Sequence, residues 1–272
     1  MAVVDATPPI DTGRPTRAGR PRGVGGVLGV AVLLAVWWLL AVTVFAVSGA
    51  VPTPAAVVAR MVGDGRGFYA PHVSATLAEA AQGFLWGNAL ALAVALLVLL
   101  VPPLEGLAMQ IAVISYCIPL IAIGPIVKIV FGGRTPMVFL AAISVFFTTV
   151  VGALLGLRAA DRASLDLISA YGGGRWKQLT KVQLIAAIPG VLAALKIAAP
   201  AALLGAIIGE YLGGVDTGLG VAMTIAQQQY QVARVWGLAL MSGLLAGIGY
   251  AAVALLARVA APWSAGTAEA DR

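Results

Sequence analysis

The chain alternates long apolar runs with short polar breaks. From Gly23 to Ala59 it carries no charge, and the core of that run, "VLGVAVLLAVWWLLAVTVFAV", is long enough to cross a hydrocarbon layer of ~30 Å as a helix. Charge-poor spans recur over residues 77–101, 107–130, 136–157, 187–211 and 235–258, so the pattern predicts six transmembrane helices. The breaks suit turns: "VPPLEG" after the second span, "FGGRTP" after the third and "GGVDTGLG" at the end of the fifth. A signal peptide competes for the first span, because "VSGA" resembles a cleavage site. The run exceeds the apolar core of about 7–15 residues that such peptides carry, which favours a retained helix.

Composition agrees with lipid as the solvent. The chain has 272 residues, 61% of them hydrophobic and only 10% charged, whereas a soluble domain carries about 25% charged residues. The reading is an all-α, polytopic membrane protein in contact with lipid. The formal charge of +6 is not gathered on one soluble face, which argues against nucleic-acid binding. Cys117 and His72 are each the only residue of their kind, which excludes an intrachain disulfide and His- or Cys-cluster metal sites. Cys117 lies in an apolar run and is expected to be buried. No Walker A, HExxH, GxSxG or kinase signature is present, so no catalytic residue and no cofactor are expected.

The few charges set the expected orientation. With the N-terminus cytoplasmic, the inner side holds Arg14, Arg17, Arg20, Arg22, Arg158, Arg162, Arg175, Lys177, Lys181, Arg258 and Arg272. The outer side holds only Arg60, Arg66, Arg134 and Arg234. Both termini are then cytoplasmic. Residues 1–22 read as a disordered basic arm, 23–262 as the membrane domain and 263–272 as a tail. Inside the spans, Gly83 with Gly87, Gly152 with Gly156, Gly205 with Gly209 and Gly243 with Gly247 form small-xxx-small pairs that predict close helix contacts; abundant glycine is the plain alternative. Trp37 and Trp38 are expected to pack mid-span.

The loop over 158–186 is the longest inner connection. Its segment "AYGGGRWKQLTKVQLIAAIPG" breaks two short helical stretches at Gly172, Gly173 and Gly174, and restarts with Arg175 and Trp176. Leu165, Ile168 and Ala170 lie among polar neighbours, as on an amphipathic surface helix. Arg and Trp are common interface anchors, so docking on a soluble partner is one reading, and a basic loop lying on anionic lipid is the other.

This loop resembles the EAA motif of bacterial ABC importer permeases, the binding-protein-dependent inner-membrane component. The motif runs E-A-A, three residues, G, nine residues, I, one residue, L-P. Asp166 takes the acidic position, Gly172 the glycine, Val182 the isoleucine and Leu184 the leucine, while Leu167, Ile168 and Ile185 depart from it. The resemblance extends over about residues 50–262 and is similar to the nitrate/sulfonate/taurine-type permeases in "HVSATLAEAAQGFLWGNALAL", "IPLIAIGPIVKIVFGG" and "LKIAAPAALLGAIIGEYLGG". It implies the fold of a type I importer bundle and a homodimer with two ATP-binding subunits. An extracytoplasmic binding protein would deliver a small, anionic or organic, solute. ATP hydrolysis would fall to the separate subunit. It also implies ATPase coupling through Asp166, Ser169, Ala170, Gly172, Gly173, Gly174, Arg175 and Trp176. Pro119, Pro125, Lys128, Phe131 and Glu210 would lie along a translocation path.

A secondary transporter or channel without an ATPase is the rival class; the inverted repeat that would favour it is not visible. Lys128 and Glu210 fall at similar depth. Either Lys128 reaches to the headgroups, or the two charges pair beside the path.

Overall fold

The computed structural model describes residues 22–212 and 214–262. The expected basic arm, apart from Arg22, and the tail lie outside them. Two compact units divide at Pro54. The first holds α1 (Arg22–Val42), an apolar helix whose side chains are almost all exposed. Trp37 is half-buried and donates its indole N–H to the Pro52 carbonyl at 3.0 Å. Trp38 is exposed, contrary to the mid-span packing expected of it.

The second unit is helical throughout its regular structure. It contains α2 (Pro54–Leu100), α3 (Glu105–Cys117), α4 (Leu120–Phe131), α5 (Thr135–Arg158), α6 (Arg162–Ala170), α7 (Arg175–Gln178), α8 (Leu184–Tyr211), α9 (Leu219–Gln228) and α10 (Val232–Ala260). Among the described residues, five helices are long and apolar enough to cross a membrane, or six if the bent pair α3–α4 counts as one. This is the expected all-α polytopic class.

Three details correct the expected spans. The stretch 107–130 is not one helix: α3 and α4 meet at 93°. Pro119 has no N–H to continue α3, and it holds Ile118 extended at φ −74°, ψ 124°. Cys117 stands at this break and is exposed, because the helix it was expected to be buried in ends there. The second span does not start near residue 77. α2 begins at Pro54 and is interrupted only at Gly65 (φ 66°). Its charges do not end it because Asp64 is held by Arg60 one turn away and by Arg234 of α10, at 3.0 and 2.6 Å. The break after the fifth span contains a further helix, α9, that the hydropathy pattern did not reveal.

Small residues hold the bundle together. α5 lies between α2 and α8. A Cβ on Gly83 would come within 2.8 Å of the Val138 carbonyl, and one on Gly209 within 2.8 Å of the Met137 Cα. α5 and α8 also cross closely, where a Cβ on Gly190 would sit 2.9 Å from the Gly156 Cα. Lipid tails are as apolar as leucine, so helices in a bilayer associate through close packing and hydrogen bonds, and small residues permit both. The central core is accordingly Ala80, Ala141, Val145, Ala198, Ala202 and Ala206. Asn88 and Thr149 add a buried hydrogen bond between α2 and α5. Three of the four glycine pairs thus mark contacts. Gly243 and Gly247 do not, since a Cβ at either would meet open space.

Candidate functional site

Two polar regions stand out, one at the C-terminal ends of α2 and α5 and one beside the middle of α2 and the start of α5. The first is the hairpin of α6 and α7. Asp161 caps α6, accepting the Ser164 N–H at 3.2 Å. Asp166 lies exposed on the helix. α6 ends after Ala170, and Gly172 turns the chain at φ +72°, a region that costs a side chain-bearing residue strain. Gly173 approaches the Ile168 carbonyl, where a Cβ would lie 2.7 Å away. Gly174 then opens α7 as its N-cap residue.

Gln178 closes the hairpin. Its amide donates to the Leu165 carbonyl at 3.2 Å and to the Ser169 hydroxyl at 2.7 Å. Arg175 donates to the carbonyl of Leu99 at 3.2 Å, one of the last carbonyls of α2, which lack intrahelical donors. Near it Arg158 pairs with Glu105. Trp176 and Tyr171 project outward, 67% and 84% exposed. The sequence-predicted residues of this loop are therefore gathered on one exposed knob. Asp161 and Gln178, which shape it, were missed; the cap spacing of Asp161 before "RASL" was the legible signal.

The second region joins α2, α5, α8 and α9. Glu210, near the end of α8, is 1% exposed. It accepts from the Thr76 hydroxyl and from the Gly220 N–H, each at 2.6 Å, so it sits at the N-terminus of α9, where free N–H groups favour a carboxylate. Thr76 in turn accepts the Leu219 N–H at 2.9 Å. His72, one turn before Thr76, accepts the Gly218 N–H on Nδ1 at 3.1 Å. Glu79, three residues beyond Thr76 and so on the same face of α2, is also 1% exposed and pairs with Arg134. Arg134 also donates to the Thr217 hydroxyl and, at 3.4 Å, to its carbonyl. A cleft of about 780 Å³ opens here, lined by Ser74, Gln82, Arg134, Thr135 and Thr217 with Glu79 at its wall.

The expected path residues are placed unevenly. Glu210 is buried in this network, while Pro119, Pro125 and Phe131 are exposed along α4. Lys128 does not pair with Glu210. Its ammonium donates to the Leu212 carbonyl at 3.1 Å, with its stem against Gly214. The hydrogen bonds from Thr76 and Gly220 already occupy the carboxylate, and Lys128 reaches the end of α8 instead. Sequence reasoning missed Thr76 and Gly220 as the partners of Glu210, and Arg134 as the partner of Glu79.

Residues 87–264 match the family described as binding-protein-dependent transport system inner membrane component. The chain belongs to that family. It is an ABC transporter permease and a multi-pass membrane protein. The permease is 33% identical over 162 residues to a Haemophilus influenzae protein named "Probable ABC transporter permease protein", covering 59% of this chain and 66% of that one. It is 28% identical over 214 residues to the formylaminopyrimidine transport permease of Halalkalibacterium halodurans, covering 78% and 85%. It is 26% identical over 217 residues to the riboflavin transport system permease of Chloroflexus aurantiacus, covering 79% and 81%.

Proposed function

We propose that the permease is the membrane subunit of an ATP-driven importer and that the α6–α7 hairpin is where a separate ATPase subunit docks. The observation that carries this reading is the hairpin itself. It is exposed, it turns at a left-handed glycine, it presents Trp176 and Tyr171, and Arg175 ties it to the end of α2. Arg175 can thus pass a push on the knob to α2, whose far part carries Thr76 and Glu79. A rise of ~1.5 Å per residue puts Leu99 and Glu79 roughly 30 Å apart along α2, about the thickness of the bilayer core.

In this reading Asp166, Ser169, Ala170, Gly172, Gly173, Gly174, Arg175 and Trp176 form the ATPase-facing surface. The membrane domain spans 23–262 between a cytoplasmic arm and tail, in a bacterial cell membrane. Two copies pair, and an extracytoplasmic binding protein delivers a small, anionic or organic, solute at the Arg134 end. Pro119, Pro125, Lys128, Phe131 and Glu210 border the path. ATP hydrolysis belongs to the partner, not to this chain. The relatives named for formylaminopyrimidine and riboflavin support an organic solute.

The test uses Ser169→Cys in a Cys117→Ser background. Impermeant thiol reagents should label it only from the cytoplasmic side, and a co-purifying ATPase subunit should shield it. Labelling from outside would overturn the orientation. A permease that transports solute with no ATPase attached would favour a secondary transporter.

A further inference from the structure

The cleft beside Arg134 has a chemistry of its own. At about 780 Å³ it falls in the range of small-molecule sites, ~300–1,000 Å³. Ser74, Gln82, Thr135 and Thr217 offer hydroxyl and amide groups around it. The guanidinium at its edge would ordinarily suggest an anion site, but Glu79 already holds that charge. The Oε2 atom of Glu79 is buried, and the carboxyl groups of Glu79 and Glu210 lie within hydrogen-bonding reach of each other.

Behind Glu79 lies Glu210, whose donors are the neutral Thr76 hydroxyl and Gly220 N–H. Lys128, the other nearby cation, is turned to the Leu212 carbonyl. His72 uses Nδ1 as an acceptor, and Asp216 in the adjoining loop is exposed. The local sum is therefore not positive, whether or not Glu210 carries a proton. An anion entering the cleft finds the Arg134 guanidinium already paired with Glu79, while an N–H donor finds the hydroxyl and amide oxygens of Ser74, Gln82, Thr135 and Thr217.

We propose that this cleft is a solute-binding site that takes an uncharged or cationic hydrogen-bonding group, such as an amino-substituted nitrogen heterocycle, and rejects anionic groups. The proposal rests on the permease reading and adds the substrate class to it. It gives Arg134 a positioning role: the guanidinium holds Glu79 and Thr217 in place and does not attract the solute by charge.

The test places a reporter thiol in the cleft. Full-length Cys117→Ser permease carrying Ser74→Cys, or independently Thr135→Cys, is reacted in membrane vesicles with a cationic methanethiosulfonate (ethyltrimethylammonium) and an anionic one (ethylsulfonate). Rates are normalised to those of a small thiol in solution. The expected result is a preference for the cationic reagent of roughly threefold in low salt, the scale of one unit charge several ångströms away through a hydrated cleft. Glu79→Gln should reduce that preference. Millimolar 4-aminopyrimidine or guanidinium should slow labelling, and methanesulfonate should not. Preference for the anionic reagent, protection by methanesulfonate, or no reaction at either thiol in protein that elutes as a single species would each overturn the proposal. Should the ATPase fail to co-purify while the cationic preference holds, the importer reading falls and the cleft assignment stands.

Discussion

Replacing Thr76 with Val is the sharpest test of the buried network. The side chains are nearly the same size, so no cavity opens, and Thr76 is fully buried. The change removes two interactions at once. The hydroxyl no longer donates to Glu210 at 2.6 Å, and the Leu219 N–H loses its acceptor at 2.9 Å. A hydrogen bond to a charged group is worth about 1.5–3 kcal/mol, and an orphaned buried N–H costs about 1–3 kcal/mol. Interhelical hydrogen bonds measured in a bilayer average ~0.6 kcal/mol, with a maximum near 1.7. The carboxylate and the unpartnered N–H put this site above that average, at roughly 3 kcal/mol. For a chain of this size that corresponds to a fall in Tm of roughly 6–12 °C. Thr76→Ser keeps the hydroxyl and removes one methyl, so it should cost only about 1 kcal/mol. The assay is thermal stability of the detergent-solubilised permease, read by the fraction remaining monodisperse after heating. Adding Glu210→Gln gives a double-mutant cycle that isolates the Thr76–Glu210 term from the loss of the Leu219 acceptor. A Thr76→Val protein within 2 °C of the parent, or one no worse than Thr76→Ser, would refute this account of how Glu210 is held.

Three further outcomes follow from particular contacts. Gly172→Leu should leave the bundle intact, since a Cβ there meets open space, but strain of about 1–2 kcal/mol at φ +72° should deform the hairpin and lower ATP-dependent uptake; normal uptake with normal ATPase stimulation would show the turn to be incidental. Gly190→Leu should prevent accumulation of folded permease, because its Cβ would press on the Gly156 backbone at 2.9 Å; a normal yield on size-exclusion would contradict the α5–α8 crossing. Arg158→Gln should change thermal stability little, by less than about 1 kcal/mol, because that arginine is 67% exposed, whereas Asp64→Asn strips the partly buried Arg234 of its carboxylate and should cost roughly 3 kcal/mol; equal Tm shifts for the two variants would count against burial as the deciding factor.

Apolar run length alone determined the membrane class, the helical fold and most span positions, because a bilayer admits only segments that satisfy their own backbone groups. Glycine spacing likewise marked the α2–α5 and α5–α8 contacts, since close approach needs positions without a Cβ. The same signal failed at Gly243 and Gly247, as nothing in a sequence says which glycine face meets another helix. The broken hairpin was legible from Gly172–Gly174, whose turn is a local matter of backbone angles. The bend at Pro119 was readable in principle, but the hydropathy of 107–130 is continuous across it, so composition concealed the geometry. Only the tertiary structure decided the partners of the buried charges. Glu210 and Thr76 are 134 residues apart, and Arg134 and Glu79 are 55. Depth in the membrane suggested Lys128 for Glu210, but depth is one coordinate of three. The folded bundle brought the Thr76 hydroxyl and the Gly220 N–H to that carboxylate, and left Lys128 with the end of α8.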